Sequence, residues 1–251
     1  MIQASFPALV VTLSIDIGGS GIKCALLNAA GEMISERQRI DTPYPCPPER
    51  LLTALNDLAG GYSGYHRVSV GFPGLIRNGQ VKLIPSLTRA SKDGLTDPQL
   101  VEAWQNFELA KALDTAFKVP VRVANDADIQ GSAVIKGAGL ELVITLGTGC
   151  GSALFNDGTL LPHLELGHAP FRKGETFEEQ LGNAARKEIG NDRWISRVNK
   201  AIPALEAFIF FDHLYLGGGN ARHLAQVELG PNVTLVENTA GILGGIKIWE
   251  L

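Results

Sequence analysis

The sequence predicts an α/β protein of two lobes, each a mixed sheet flanked by helices, and three observations carry that prediction. Leu13 to Asn28 is an apolar run broken by Asp16 and a Gly18-Gly19-Ser20-Gly21 turn, then resumed. This reads as strand, phosphate-sized turn and strand: Val10, Val11, Ile15 and Ile17 suit a strand, and the glycines let backbone N–H groups approach an anion. Leu142 to Asn156 repeats the plan, and at a constant offset Gly21, Ala25, Leu26 and Asn28 fall on Gly149, Ala153, Leu154 and Asn156. Between and after these hairpins, strand-like runs alternate with segments of helical spacing. Two such halves can clamp a phosphate chain, and the expected division is a first, smaller lobe over 1–122 and a larger one over 123–251. No helical pattern opens directly after either glycine turn, which argues against a P-loop or a dinucleotide fingerprint.

The elements follow in order. Gly31 to Ile40 is expected as a third strand, and Thr42 to Pro48 as a proline-rich connection. Leu51, Leu52, Leu55 and Leu58 recur at helical spacing after Pro48, and Gly60-Gly61 ends that helix. Arg67 to Phe72 is a strand running into the sharp turn Gly71-Phe72-Pro73-Gly74, at a strand end where α/β sheets place ligand contacts. Residues 76 to 96 read as a hairpin and a loop. Asp97-Pro98 caps a helical segment, broken near Asn106, that continues through Leu109, Leu113 and Phe117. Val119 to Ala124 is expected as a buried strand delivering Asn125-Asp126-Ala127-Asp128 before a helix from Ile129 to Ile135.

After the second hairpin, Glu175 to Phe211 is expected to be helical with a break at Gly190-Asn191 and an apolar face of Leu205, Phe208, Ile209 and Phe211. His213 to Leu216 forms a strand entering Gly217-Gly218-Gly219-Asn220 and a short helix from Ala221 to Val227, a glycine turn suited to a nucleotide or phosphate. Val233 to Val236 is the last strand, and Thr239 to Ile248 a closing helix.

Composition narrows the function. With 22 Lys and Arg against 26 Asp and Glu, the net charge of −4 provides no global field for nucleic acid or an anionic membrane. Cys24, Cys46 and Cys150 are odd in number and outside Cys-x-x-Cys spacing, which argues against disulfides or a cysteine-rich zinc site and for a reducing cytoplasm. No basic region precedes the first apolar stretch and Asp16 cuts it short, so neither signal peptide nor membrane span is expected.

With these pieces in sequence, the chain resembles the ROK family of sugar kinases, within the actin-like (ribonuclease H-like) two-lobed ATPases, and most of all its polyphosphate-dependent glucokinase branch. The segments that carry the resemblance are Asp16-Ile-Gly-Gly-Ser-Gly-Ile-Lys23, Gly71-Phe-Pro-Gly74, Asn125-Asp-Ala-Asp128, Leu146-Gly-Thr-Gly-Cys-Gly-Ser152, Glu165-Leu-Gly-His168, Leu216-Gly-Gly-Gly-Asn220 and Asn238-Thr-Ala-Gly-Ile-Leu-Gly-Gly245. Each alone is weak, and seven in order are a strong signal. Kinases and repressors of this family carry a zinc-binding cysteine cluster after the Glu-x-Gly-His segment. Phe171 to Gly182 has no cysteine, so no zinc is expected.

The resemblance implies phosphoryl transfer from polyphosphate or ATP to the 6-hydroxyl of glucose or a related hexose. Asp126 would be the general base, and Asn125, Glu165, His168 and Gly71 would hold the sugar. Gly18, Gly19, Ser20, Lys23, Gly147, Thr148 and Gly149 would contact the phosphates, Gly217, Gly218 and Gly219 would lie against the donor, and Asp16 would partner Mg²⁺. Taken from the residues alone, Asp126 or Asp128 equally suits a helix N-cap, Asp16 a turn, Lys23 a solvent-facing strand position, His168 a structural role and Gly217 to Gly219 close packing. Arg186, Arg193, Arg197 and Lys200 would share one face of an unbroken helix, either a polyphosphate groove or an ordinary solvated surface. A homodimer is implied by the resemblance only. Competing readings are an ATP-specific kinase for fructose, mannose or an N-acetylhexosamine, and a sugar-binding protein without turnover.

Overall fold

The structure, a computed structural model, describes residues 6–92, 94–236 and 244–249. It contains two compact units. The first runs to Gln130 and takes in the C-terminal turn Gly244–Trp249; the second follows from Gly131.

The first unit is built on a five-stranded sheet of β1 (Thr12–Ile17), β2 (Ile22–Leu27), β3 (Gln38–Ile40), β4 (Arg67–Phe72) and β7 (Val121–Asn125) in the order β3-β2-β1-β4-β7. β1 and β2 form the antiparallel glycine hairpin, whereas β4 and β7 run parallel to β1. Parallel neighbours need crossovers. One is helix α1 (Pro48–Ala59), whose Leu51, Leu55 and Leu58 pack on Leu13, Ile15, Val68 and Val70; Pro48 opens it and Gly60 closes it. The other contains the hairpin of β5 (Leu75–Arg77) and β6 (Gln80–Leu83), then α2 (Pro98–Trp104) and α3 (Leu109–Phe117). Asp97 caps α2 by accepting from Gln99 N–H, and Asn106 breaks the segment at φ 56°, as the sequence led one to expect.

The second unit repeats the topology. Its sheet has β8 (Leu140–Leu146), β9 (Cys150–Asn156), β10 (Thr159–Leu160), β13 (His213–Gly217) and β14 (Val233–Leu235) in the order β10-β9-β8-β13-β14, again an antiparallel hairpin with two parallel strands beside it. The duplication legible in the two glycine hairpins therefore extends to the whole sheet. A ribbon of β11 (Pro170–Arg172) and β12 (Glu175–Thr176) leads into α5 (Phe177–Leu181), α6 (Asn183–Ile189) and α7 (Asn191–Ile209). Trp194, Val198, Ala201, Ile202 and Leu205 are the buried stripe of α7, over Leu142, Ile144, Leu214 and Leu216. Among the described residues no helix is long and apolar enough to cross a membrane.

Several elements differ from expectation. Only Gln38–Ile40 of the third strand forms; Asn28 Oδ1 accepts the N–H groups of Ala30 and Glu32 and turns the chain, leaving a bridge between Leu27 and Met33. β7 is the sheet's edge, so Val121, Val123 and Ala124 are half-buried rather than buried. α4 (Asp126–Ser132) begins at Asp126, three residues before the expected Ile129. The long helical region is broken at Gly182 as well as Gly190, and begins as a strand. Phe208 is 65% exposed although it continues the spacing of Trp194, Val198, Ala201 and Leu205; it stands in the last turn of α7, which Phe210 ends at φ 53°. Ala221–Leu224 is a 3-10 turn, as is Gly244–Trp249; the part of the closing helix over 239–243 lies outside the described residues. β7 pairs with β4 and carries α4 with it, so the first compact unit reaches Gln130.

Candidate active site

In the first unit, strand register sets the candidate residues in a row. Asp16 pairs with Lys23 on one side and Gly71 on the other, Gly71 with Ala124, and Phe72 with Asn125. All three parallel strands end here, where open α/β sheets bind ligands. Lys23 turns toward the site rather than to solvent: its Nζ lies 3.2 Å from Asp16 Oδ2, and both side chains are partly buried. A Cβ on Gly71 would stand 3.7 Å from the Asp126 Cα, in ordinary van der Waals contact, which places the start of α4 beside β4.

The glycine turn between β1 and β2 has its carbonyls tied down. Thr42 Oγ1 donates to Gly18 O at 2.6 Å, the Tyr44 hydroxyl to Gly19 O at 2.7 Å and Arg39 Nη2 to Ser20 O at 3.2 Å. A turn that cradles an anion must keep its carbonyl oxygens away from it, and these donors hold them in place. The proline-rich connection 42–48 thus supplies turn-holding residues that sequence reading took for a linker.

Asn125 ends β7 with both ends of its amide engaged. Nδ2 donates to Gly74 O at 3.0 Å and Oδ1 accepts from Ala127 N–H at 2.7 Å, so Asn125 takes part in capping α4. Asp126 Oδ1 accepts from the same N–H at 2.8 Å, and the residue is half-buried. Gly74 is obligatory in the turn, because a Cβ there would collide with the Leu83 carbonyl.

In the second unit, register again aligns two turns: Thr145 pairs with Gly151 and with Gly217. The Gly147 and Thr148 carbonyls are held from outside the turn, as in the first unit, and the Gly149 carbonyl accepts from Gly147 N–H within it. Asn183 N–H donates to Gly147 O at 3.0 Å and Thr148 O at 3.3 Å, and Asn220 Nδ2 to Gly147 O at 3.0 Å. Glu178 Oε2 accepts from Cys150 N–H at 3.2 Å and lies against Gly149. Gly218, at φ 83°, passes so close to β8 that a Cβ would stand 2.5 Å from Leu146 O. Beside it, Gly218, Gly219, Ala221, Arg222, Leu235 and Val236 line a cavity of about 340 Å³, at the small end of the range for ligand sites.

Glu165 and His168 flank a 3-10 turn, Leu166–His168, with His168 N–H bonded to Glu165 O at 3.0 Å. β9 anchors it: Ser152 Oγ accepts from Leu166 N–H, and Gly167 packs on the Cys150 carbonyl. His163 Nε2 lies 3.4 Å from Glu165 Oε1. The proximity of that imidazole holds the Glu165 carboxyl below its ordinary value against the opposing effect of burial, with the charge of His168 adding. Sequence reading missed His163, although in extended chain residues 163 and 165 share a face, which is the signal that could have found it.

Gly190, at φ 79°, separates α6 from α7, so the expected basic face is not one helix. Arg186 binds asparagine side chains, Arg197 donates to Gln180 O, and Arg193 and Lys200 are exposed. Burial pushes the thiols of Cys24 up to about 11 and of Cys46 and Cys150 up to about 12, so none is a thiolate nucleophile. Among the described residues no three His, Cys, Asp or Glu side chains gather to hold a metal. Mg²⁺ needs no such cage: it binds through one or two carboxylates, phosphate oxygens and water, and Asp16 fits as the carboxylate.

Residues 12–185 match the ROK family. The polyphosphate glucokinase of Mycobacterium tuberculosis is 31% identical over 248 residues, covering 92% of this chain and 88% of that protein. Among solved structures, the inorganic polyphosphate/ATP-glucomannokinase from Arthrobacter sp. strain KM superposes with a TM-score of 0.81 at 28% identity, covering 96% of this chain and 98% of its own. A ROK family glucokinase from Streptomyces griseus, solved with glucose and AMPPNP, shares the fold at a TM-score of 0.73 and 16% identity over 95% of this chain and 98% of its own.

Proposed function

This chain belongs to the ROK family, and from that membership we propose that it is a hexose kinase, transferring a phosphoryl group from polyphosphate or ATP to the 6-hydroxyl of glucose. The observation that carries the reading is the row Lys23, Asp16 and Gly71 along the carboxyl edge of the first sheet, with Asn125 one residue beyond that row and Asp126 opening α4 beside it.

Asp126 accepts the 6-hydroxyl proton as the sugar oxygen attacks the terminal phosphorus of the donor, and the bond from that phosphorus to the bridging oxygen breaks to release the shortened phosphate chain. Asn125 caps α4 and ties it to Gly74, which fixes the Asp126 backbone; this is the support for a positioning role alongside the expected contact of Asn125 with the sugar. Glu165, kept ionised by His163, accepts hydrogen bonds from sugar hydroxyls, and His168 and the Gly71 backbone complete the sugar contacts. The amides of Gly19, Ser20, Thr148 and Gly149 donate to phosphate oxygens, from turns that the Gly18 and Gly147 amides close onto Gly21 O and Gly149 O; Lys23 adds charge, and Gly217 to Gly219 border the donor. Asp16 would hold Mg²⁺, which neutralises charge on the transferring phosphoryl group. No zinc is needed in this scheme.

The test is purified protein with glucose and Mg²⁺, followed for glucose 6-phosphate with ATP and, separately, with nucleotide-free polyphosphate. Turnover with either donor supports the reading. Absence of turnover with both donors, for glucose and for mannose, fructose and N-acetylhexosamines, overturns it.

A further inference from the structure

Arg186 occupies an unusual place in the second unit. Its guanidinium donates from Nε to Asn220 Oδ1 at 3.1 Å, from Nη1 to Asn191 Oδ1 at 2.9 Å and from Nη2 to Asn183 Oδ1 at 3.0 Å. All three acceptors are neutral, and among the described residues no carboxylate pairs with Arg186 or with Arg222. A guanidinium has five N–H groups, so three are committed here and two remain, with the full positive charge unneutralised.

Two of the three asparagines that grip it also grip the glycine turns. Asn183 N–H bonds the carbonyls of Gly147 and Thr148, Asn220 N–H bonds Leu146 O, and Asn220 itself ends the Gly217-Gly218-Gly219 turn. Arg186 is therefore one side chain removed from both turns, pre-oriented before any ligand arrives. Arg222 lines the cavity at Gly218 and Gly219. Burial, then the charges of Arg186 and Arg222, hold the neighbouring His223 imidazole below its ordinary value, so these cations share one neighbourhood. Neutral acceptors orient a guanidinium without discharging it, and its planar fork matches phosphate.

We propose that Arg186 grips the phosphate chain of the phosphoryl donor and that Arg222 extends this grip along the rim of the adjacent cavity. The ligand class is a linear chain of phosphates, inorganic or nucleotide-borne, recognised by charge rather than by a base. This rests on the kinase reading, but its test does not need turnover.

Isothermal titration calorimetry of the full chain with sodium tripolyphosphate, and separately with ATP, both with Mg²⁺, compares the natural protein with Arg186→Ala, Arg186→Lys, Arg222→Ala and Lys187→Ala. Arg186→Ala is expected to weaken tripolyphosphate roughly ten- to a hundredfold, the loss of a charge-assisted bidentate contact. Arg186→Lys should fall between, because it keeps the charge and loses the fork. Arg222→Ala should weaken binding about threefold, as one rim charge does. Lys187→Ala removes an exposed charge one residue away and should stay within about twofold. Equal losses with ATP place the contact on the phosphates of both donors; a loss with tripolyphosphate only assigns it to the inorganic chain. Unchanged tripolyphosphate binding in Arg186→Ala, or a Lys187→Ala loss as large as that of Arg186→Ala, overturns the proposal. If Arg186→Ala melts early, unchanged binding in both Arg186→Lys and Arg222→Ala overturns it. Failure of the kinase reading is seen separately, as absence of glucose 6-phosphate from the natural protein.

Discussion

Replacing Glu141 by Gln should unfasten the second sheet. Glu141 stands at the start of β8 with 1% exposure, and its carboxylate takes four hydrogen bonds. Oε1 accepts from Lys136 N–H at 2.7 Å and the Tyr215 hydroxyl at 2.8 Å; Oε2 accepts from Gly137 N–H at 2.7 Å and Ala138 N–H at 3.2 Å. An amide serves one of these pairs and turns its NH₂ onto the other, so two charge-assisted bonds are lost and two donors face a donor. At about 1.5–3 kcal/mol for each bond to a charged group, the cost is about 3–6 kcal/mol. Native-state hydrogen exchange at the β8 and β13 amides reads this in the second unit directly. The sign with pH is also set. Burial alone would raise the Glu141 carboxyl, but the donors from Lys136, Tyr215, Gly137 and Ala138 more than reverse that and leave it lowered. Its contribution is therefore complete above the unfolded carboxylate value and is lost as pH falls through the lowered folded one. The natural protein should lose β8 protection in acid while the Gln variant, already weakened, lacks that step. A fall of less than about 1 kcal/mol at neutral pH would refute the reasoning.

Asp126→Asn should lower kcat by roughly 10² to 10⁴ through loss of the general base, with the melting temperature held; near-normal turnover would remove Asp126 from that role. The two glycine turns of the second unit should separate structure from ligand approach. Gly218→Ala, with its Cβ 2.5 Å from Leu146 O at φ 83°, should cost at least about 2 kcal/mol and lower the melting temperature by roughly 4–8 °C. Gly147→Ala meets no atom within 4 Å, so it should leave melting unchanged, and its methyl, projecting into open space at the turn, should raise the donor KM; an unchanged KM would place the donor away from the Gly147 turn. Replacing His163 by Ala removes the first cause of the lowered Glu165 value, so ionised Glu165 is lost at higher pH. The acid limb of kcat/KM for glucose should move up accordingly, and an unmoved limb would dissociate His163 from the sugar contact.

The fold was largely legible because its signals are local. Period-two apolar runs marked β1, β4, β8 and β13, Pro48 and Gly60 bracketed α1, and Asp97-Pro98 opened α2. The errors fall where local preference met tertiary context. Gly31 to Ile40 has strand-compatible residues but only the stretch beside β2 finds a partner, and Phe208 continues the apolar spacing of α7 but stands exposed in its last turn. In the site, the glycine turns and the Asn125-Asp126 strand end were visible as motifs, whereas the sharing of Ala127 N–H between Asn125 and Asp126 required the geometry of β7.

The sequence by itself determined the two hairpins, their duplication and the order of chemical motifs, since backbone conformation near glycine, proline and branched residues is set within a few neighbours. Only the tertiary structure decided which side chains hold those motifs. Thr42, Tyr44 and Arg39 tie the first turn from 19 or more residues away, Asn220 reaches Gly147 across 73, and Tyr215 reaches Glu141 across 74. Such partners leave no periodic trace, because their meeting depends on which strands become neighbours in a sheet, and that is settled by burial of the whole core rather than by any segment of the chain.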